Sequence, residues 1–422
     1  MSEKRQRIPE LDGLRTLMIF IVSWYHIWQQ SWLRPMIGNY SLDYIVRSGY
    51  VWVDGTVLLS SFLLFLPWAK AMREHLPPPD TKEFYYRRAR RILPGYYFIT
   101  LAVLFCIAIP WQLYGTPQYL VKDVATHLTF TFPFFYDTYL ATPLGAASWT
   151  LGIEVHAYLL FPLIARGVMK KPALTLTLLC LTCLGFRAWC MWALDDYSMV
   201  VNQLIDFLDV YAVGILASMA YVRLSEKRTN EGTEKSQAAE GTAENSGTGK
   251  PDGGRAGALW RRFRWQALAT AVFVVAFWGL LRLLSHQASS GDYALIQRRQ
   301  MIYRPAYALL FASLVLSAPF AFLPLRKLLG NPVTKFLGGV SMNYYLIHQT
   351  IVVHLKRIHF PPSVSENPNT AGEQPWQNQY TLVSFGISLL LAVLVTYLIE
   401  KPAARLLDRL RERKRAKAVQ HC

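Results

Sequence analysis

Apolar runs of membrane-spanning length alternate with short polar connections along nearly the whole chain. Runs of roughly 17–25 apolar residues, the length an α-helix needs to cross a bilayer, fall at Leu11–Leu33, Tyr50–Trp68, Leu93–Trp111, Trp149–Val168, Ala173–Leu194, Leu204–Val222, Trp265–Leu284, Tyr303–Leu323, Phe336–Leu355 and Tyr380–Ile399. Helices satisfy their own backbone groups in lipid, so the pattern predicts an all-α polytopic bundle of about ten transmembrane helices. Phe130–Leu140 is shorter and contains Pro133, so it reads as an interfacial or re-entrant piece. Ser225–Ala258, rich in Gly, Ser, Thr, Ala and Glu, cannot bury a core and reads as a flexible linker. The expected organisation is therefore six spans over residues 1–222, a low-complexity cytoplasmic linker over 223–262, four spans over 263–402 and a basic cytoplasmic tail over 403–422. Arg, Glu and Leu at helical spacing in the tail predict a helix lying on the anionic inner leaflet.

Composition supports the membrane reading. Of the 422 residues 53% are hydrophobic and only 17% charged, less charge than a soluble chain of this length carries. The net charge of +17 does not point to nucleic acid, because the basic residues sit between the spans. With the N-terminus inside and the spans alternating, 34 of the 44 Lys and Arg fall on the inner side and 8 on the outer. That asymmetry predicts both termini in the cytoplasm of a multi-pass plasma-membrane protein. The first run contains Arg15 and His26 and has no small-residue cleavage site, so it is expected to stay as a signal-anchor helix. Cys106, Cys180, Cys183 and Cys190 lie in apolar spans and read as packing residues; no metal site is expected.

The candidate chemistry begins with His26. Eleven steps separate it from Arg15, so the two share one helix face at roughly 16 Å axial separation, with Asp12 on the same stripe. An ionisable group inside a bilayer costs about 3 kcal/mol or more, so it faces a protein interior or a polar path. His26 lies in the outer half of its helix, where an imidazole is suited to general-base work or, equally, to packing against a backbone carbonyl. Arg15, near the inner surface, suits a phosphate or the snorkelling of an interfacial arginine.

Other groups extend this picture. Phe84-Tyr-Tyr-Arg-Arg-Ala-Arg-Arg-Ile-Leu-Pro94 reads as a loop entering the third span. Its Arg88 and Arg91, three apart, would share a face suited to a polyphosphate, although positive-inside anchoring also explains a basic cluster. Thr150, Glu154, Tyr158 and Pro162 form one stripe, and a buried Glu154 needs a partner, either His26 or an arginine. His156 points away from Glu154 and reads as a packing residue. Asp54 begins the second span at the depth of His26 and either orients the imidazole or caps the helix. Ser341, Tyr345 and His348 share a face of the ninth span, and Asp206 and Asp209 are expected to line the same polar cavity. Glu400 reads as interfacial.

Taken together, these segments resemble the acyltransferase-3 family of multispan membrane acyltransferases. Pro9-Glu-Leu-Asp-Gly-Leu-Arg15 with His26 is similar to that family's Arg-x10-His signature. Phe84 to Pro94 is similar to its arginine segment, and Trp149-Thr-Leu-Gly-Ile-Glu154 with Tyr158 and Pro162 to its tryptophan–glutamate segment. Gly339 to His348 and Glu400-Lys-Pro402 are similar to its two closing motifs. The second span departs from the family's aromatic pair and glycine but keeps Asp54, Ser60 and Phe62, and Met342 stands where the family favours Tyr. The resemblance implies an acyl-CoA donor, usually acetyl-CoA, and a hydroxyl acceptor on a cell-surface polysaccharide, other carbohydrate or other extracytoplasmic molecule. It implies His26 as catalytic base, with Arg15, Arg88 and Arg91 near the donor; the residues themselves leave Glu154 or Asp54 as the partner of His26 and Asp12, Tyr158, Ser341 and His348 as expected cavity lining. The competing class is a proton-coupled exporter, which buried His, Glu and Asp in a multispan bundle also describe. Such transporters show repeat symmetry, and this chain has none.

Overall fold

The computed structural model describes residues 7–243 and 252–420; residues 244–251, in the middle of the expected linker, lie outside the described residues. The chain opens with α1 (Pro9–Ser31), a two-stranded antiparallel ribbon of β1 (Met36–Ile37) and β2 (Tyr40–Ser41), α2 (Asp43–Arg47), α3 (Trp52–Arg73) and α4 (Thr81–Val103). It continues through α5 (Pro117–Thr129), α6 (Tyr136–Tyr139), α7 (Trp149–Lys170), α8 (Pro172–Ala193), α9 (Leu208–Ala243) and α10 (Asp252–Ala288). It ends with α11 (Tyr293–Ser317), α12 (Leu323–Leu329), α13 (Pro332–Arg357), α14 (Gln374–Val395) and α15 (Lys401–Gln420).

Each of the ten predicted spans corresponds to a long helix: α1, α3, α4, α7, α8, α9, α10, α11, α13 and α14. Among the described residues, eight of these are both long and apolar enough to cross a membrane. The two that fall short in apolarity are α1 and α13, at 23 and 26 residues long enough to span. They carry His26 and His348, and they pack directly on each other. Their polar content is spent inside the bundle, where neighbouring helices rather than lipid receive it.

The helix α3 is the most enclosed span, with 72% of its apolar window buried, against 17% for α8 and 22% for α10. It packs on α1, α7, α9 and α11, with Trp52, Phe62, Phe65 and Trp68 fully inside. The outward faces of α8 and α10 present Leu178, Leu181, Val275 and Trp278, a surface fit for lipid. Two glycines permit close approaches. A Cβ on Gly214 of α9 would stand 1.8 Å from Ser61 Oγ of α3. One on Gly13 of α1 would stand 2.1 Å from the carbonyl oxygen of Leu329. Small residues at such crossings let helix backbones meet in lipid.

Several boundaries differ from expectation. The arginine segment is not a loop: α4 begins at Thr81, capped by Asp80, whose carboxylate accepts from the backbone N–H of Lys82 at 2.8 Å. Arg, Ala and Leu are good helix formers, so the turns before Pro94 stay helical despite their charge. α11 begins at Tyr293, ten residues before the predicted span, because Gln297, Arg298, Arg299 and Gln300 hide its first turns from an apolarity reading. The polar stretch expected as a linker is helical on both flanks, α9 running to Ala243 and α10 starting at Asp252; its Glu, Lys, Gln and Ala favour helix even without a core to join. The Phe130–Leu140 piece is a 3-10 turn (Phe132–Phe134) followed by α6, and α5 precedes it where no element is predicted. In this cap the ammonium of Lys122, 2.7 Å from Asp137, holds that carboxyl below its usual range.

Candidate active site

Helix α1 carries both ends of the site. Pro9 at its first position and Glu10 and Asp12 in its first turn favour the start, and Trp32 in the left-handed region ends it. Arg15 lies near the start and His26 near the end, each half-buried.

Three arginines gather at the Arg15 end. Arg15 faces Arg91, Asp12, Glu154 and Tyr158, and Arg88 faces Tyr158, Arg91 and Glu154. Thus α1, α4 and α7 bring three guanidinium groups to one carboxylate. Tyr158 donates its hydroxyl to Glu154 Oε2 at 3.0 Å. The Arg88 guanidinium lies 5.7 Å from the ring centroids of both Phe84 and Tyr158. The same α4 turns use a different face outward: Tyr86 and Arg90 both engage Asp408 of α15, and Arg411 reaches Glu83 at 2.7 Å and stacks on Tyr86 at 3.9 Å. The tail, expected to lie on the lipid surface, is thus tied to α4 by its own ion pairs. Glu400, expected to be interfacial, accepts from Asn343 Nδ2 at 2.6 Å and faces Arg91. It sits in a single π-turn, Thr396–Glu400, a local widening often found at functional positions.

The His26 end is built differently from expectation. Neither Glu154 nor Asp54 holds the imidazole. Its Nδ1 meets Gln29 Oε1 at 3.0 Å, and the Gln29 amide nitrogen in turn donates to the Tyr25 hydroxyl at 3.0 Å. Glu154 is engaged at the arginine end. Asp54 is fully buried and pairs with Arg304 Nε at 3.2 Å. His348 of α13 is fully buried beside His26, with ring centroids 5.2 Å apart. Tyr344 and Ser23 join α13 to α1 through their hydroxyls at 2.6 Å. Tyr345, one turn before His348, reaches toward Thr150 and Glu154 and so lies between the two ends.

Other candidates have structural partners. Asp12 accepts from Arg7 Nε at 2.7 Å. Ser341 is buried and donates to the Gly338 carbonyl at 3.0 Å. His156 donates from Nε2 to the Phe130 carbonyl at 2.8 Å and stacks on Phe134 at 5.0 Å, a packing role as its orientation indicates.

Asp206 and Asp209 belong to a buried ionic network. Arg187 Nε donates to Asp206 at 2.5 Å, and its two terminal nitrogens donate to Asp209 at 2.7 and 2.9 Å. Arg304 joins the second Asp206 oxygen, the Asp54 carboxylate and the Val201 carbonyl, with its guanidinium 3.9 Å above the Phe207 ring. A charge count on its own assigns Arg304 to an outer loop; the early start of α11 puts it inside. Gln29 was legible only as a polar residue one turn after His26, and the partners in the network leave no sequence signal because they are far apart in the chain.

The bundle thus holds an arginine cluster at one end of α1 and, at the other, a histidine pair that α1 shares with α13. Residues 8–401 match the model described as an acyltransferase domain, and the chain belongs to that acyltransferase-3 family. Among its relatives, peptidoglycan O-acetyltransferase OatA of Listeria monocytogenes is 26% identical over 192 residues, 41% of this chain and 27% of that protein. O-acetyltransferase OatA of Staphylococcus aureus is 26% identical over 176 residues, 39% of this chain and 26% of that protein. Acyltransferase MdmB of Streptomyces mycarofaciens is 28% identical over 176 residues, 41% of this chain and 43% of that protein. The matched stretch thus spans about a quarter of each of the two OatA proteins. No solved structure matches the chain.

Proposed function

We propose that this protein is an integral-membrane O-acyltransferase of the plasma membrane. It moves an acyl group, acetyl by the relatives' names, from cytoplasmic acyl-CoA to a hydroxyl of an extracytoplasmic carbohydrate or other surface molecule. The observation that carries this reading is the placement of Arg15 and His26 on one helix, each with its own cluster. Arg15, Arg88 and Arg91 offer planar forks that match phosphate oxygens, the recognition a nucleotide-bearing thioester needs. The charge asymmetry of the sequence supports an inward orientation of this end. At the other end, an oxygen acceptor sees a general base. The Gln29 oxygen can only accept, so neutral His26 carries its proton on Nδ1 and presents a bare Nε2.

The reaction follows from these roles. The acceptor oxygen attacks the thioester carbonyl carbon while His26 Nε2 takes the hydroxyl proton. The new O–C bond forms as the C–S bond breaks, and the proton passes to the departing sulfur. Glu154, held by Tyr158, balances the arginines and orients them. The test is purified protein in proteoliposomes supplied with radiolabelled acetyl-CoA, following release of the free thiol and labelled product. His26→Ala is expected to lower turnover by roughly 10²–10⁴-fold, the usual share of a general base, with unchanged elution in detergent. Wild-type turnover in that variant would refute the base assignment, and vectorial movement of label without thioester cleavage would make the protein a transporter.

A further inference from the structure

Two imidazoles meet at the outer end of the site, and only His26 has a role in the reaction above. His348 is fully buried, and its Nδ1 lies 2.7 Å from the Tyr345 carbonyl oxygen, an atom that can only accept. Neutral His348 therefore carries its proton on Nδ1, and its Nε2 is a bare acceptor. Among the described residues this Nε2 is buried with no hydrogen-bond partner. A lone pair buried without a donor costs on the order of 1–3 kcal/mol, so its retention calls for an explanation. The ring has little freedom to turn away: it is stacked on Tyr344 at 5.8 Å and 11°, and Tyr344 is tied to Ser23 of α1. His26 lies beside it, 5.2 Å away between centroids and tilted by 48°, a second imidazole next to the tyrosine rings of Tyr344 and Tyr345. At that separation, ring nitrogens turned toward one another come within hydrogen-bond reach.

Resting on the reading of His26 as base, we propose that His348 is a positioning residue whose bare Nε2 accepts a hydrogen bond from His26 once His26 has taken the acceptor's proton. In the resting enzyme both Nε2 atoms are unprotonated acceptors. After the hydroxyl proton has moved to His26 Nε2 and the O–C bond has formed, a turn of the His26 ring aims that N–H at the bare Nε2 of His348, and a turn back delivers the proton to the sulfur. The charged imidazolium is thereby stabilised against the buried ring of His348, until the proton leaves to the departing sulfur. No further reactant is needed, because the proton taken from the hydroxyl is the one returned to the thiolate. His348 acts on the chemical step rather than on binding either substrate.

The test compares His348→Phe, which keeps a flat ring between Tyr344 and Tyr345 but removes the acceptor, with His348→Gln, which offers an amide oxygen in its place. Steady-state kinetics use acetyl-CoA as the probe donor, with His26→Ala as the reference. The expected result for the Phe variant is a kcat roughly 10–10²-fold down, within the range of acid–base assistance, with KM for acetyl-CoA unchanged. The Gln variant is expected to recover most of that loss. A Phe variant with wild-type kcat, a Gln variant as slow as Phe, or a loss confined to KM would each overturn the proposal. If His26→Ala is inactive while His348→Phe keeps full kcat, the pair fails and the base assignment stands. If His26→Ala is active, both fall.

Discussion

Gln29 stands one helical turn beyond His26 and fixes which imidazole nitrogen carries the proton. Its own amide is oriented by donation to Tyr25, so the tautomer of His26 rests on two hydrogen bonds rather than on a carboxylate. A neutral partner holds the tautomer without pulling the imidazole toward its charged form, as Asp or Glu would. Gln29→Leu removes the acceptor on an exposed helix surface, where the fold depends little on it. The expected outcome is a kcat about tenfold or more below wild type with an unaltered thermal midpoint; equal kcat would show that the ring is held by other means. At the opposite end, Arg91→Lys keeps the charge but loses the planar fork. It is expected to raise KM for acetyl-CoA by about tenfold, equivalent to one charge-assisted hydrogen bond, with kcat retained; initial rates across donor concentration measure it.

At the scale of elements, α4 works on two faces. One presents Arg88 and Arg91 toward Glu154 and Tyr158, while Glu83, Tyr86 and Arg90 receive α15. The tail is therefore a strut on the side of the arginine cluster. Its ion pairs are partly exposed, so each contributes only about 0–1 kcal/mol. Asp408→Ala with Arg411→Ala is expected to leave the thermal midpoint nearly unchanged and to raise KM for acetyl-CoA by less than about tenfold; an unmoved KM would remove the strut role. The α3–α9 crossing is less forgiving. Gly214→Leu drives a side chain into Ser61 and the Leu58 carbonyl and is expected to cost about 1–3 kcal/mol, read as a lower melting midpoint in detergent. Much of this level was legible beforehand: each of the ten apolar runs meets a long helix, eight of them apolar enough to cross a membrane among the described residues. The start of α4 was not, because the charge of Arg87, Arg88, Arg90 and Arg91 has the look of a polar connection although Arg is a good helix former. The same is true of α11, whose first turns are polar.

The whole molecule is tied together by the buried network of Arg187, Asp206, Asp209, Arg304 and Asp54, which joins α8, the turn before α9 and its first residues, α11 and α3. Buried ion pairs are weak evidence for net stability, but removing one partner strands the others. Arg304→Met leaves Asp54 and half of Asp206 unpaired, and is expected to destabilise the fold by about 3–5 kcal/mol, measured as a fall in thermal midpoint and in yield from membranes. A variant as stable as wild type would mean that Asp54 finds another partner. Asp54 is thus part of the frame around α3, and its closeness in depth to His26 does not make it a partner of the ring.

The sequence by itself determined that the chain is a helical membrane protein, that Arg15 and His26 share a face, and that an arginine cluster precedes Pro94. These follow from local periodicity, because run length, a step of about 100° and charge placement need no knowledge of neighbours. Only the tertiary structure decided which groups meet: Gln29 with His26, His348 beside it, Glu154 with the arginines, Asp54 with Arg304, and Glu400 within reach of Arg91. Apart from Gln29, those partners come from distant segments, and a side chain's partner in a bundle is set by which helices pack, their depth and their rotation. Helix α1 holds both lessons, since its stripe was readable along the chain and its polar cost became understandable only once α13 was seen packed against it.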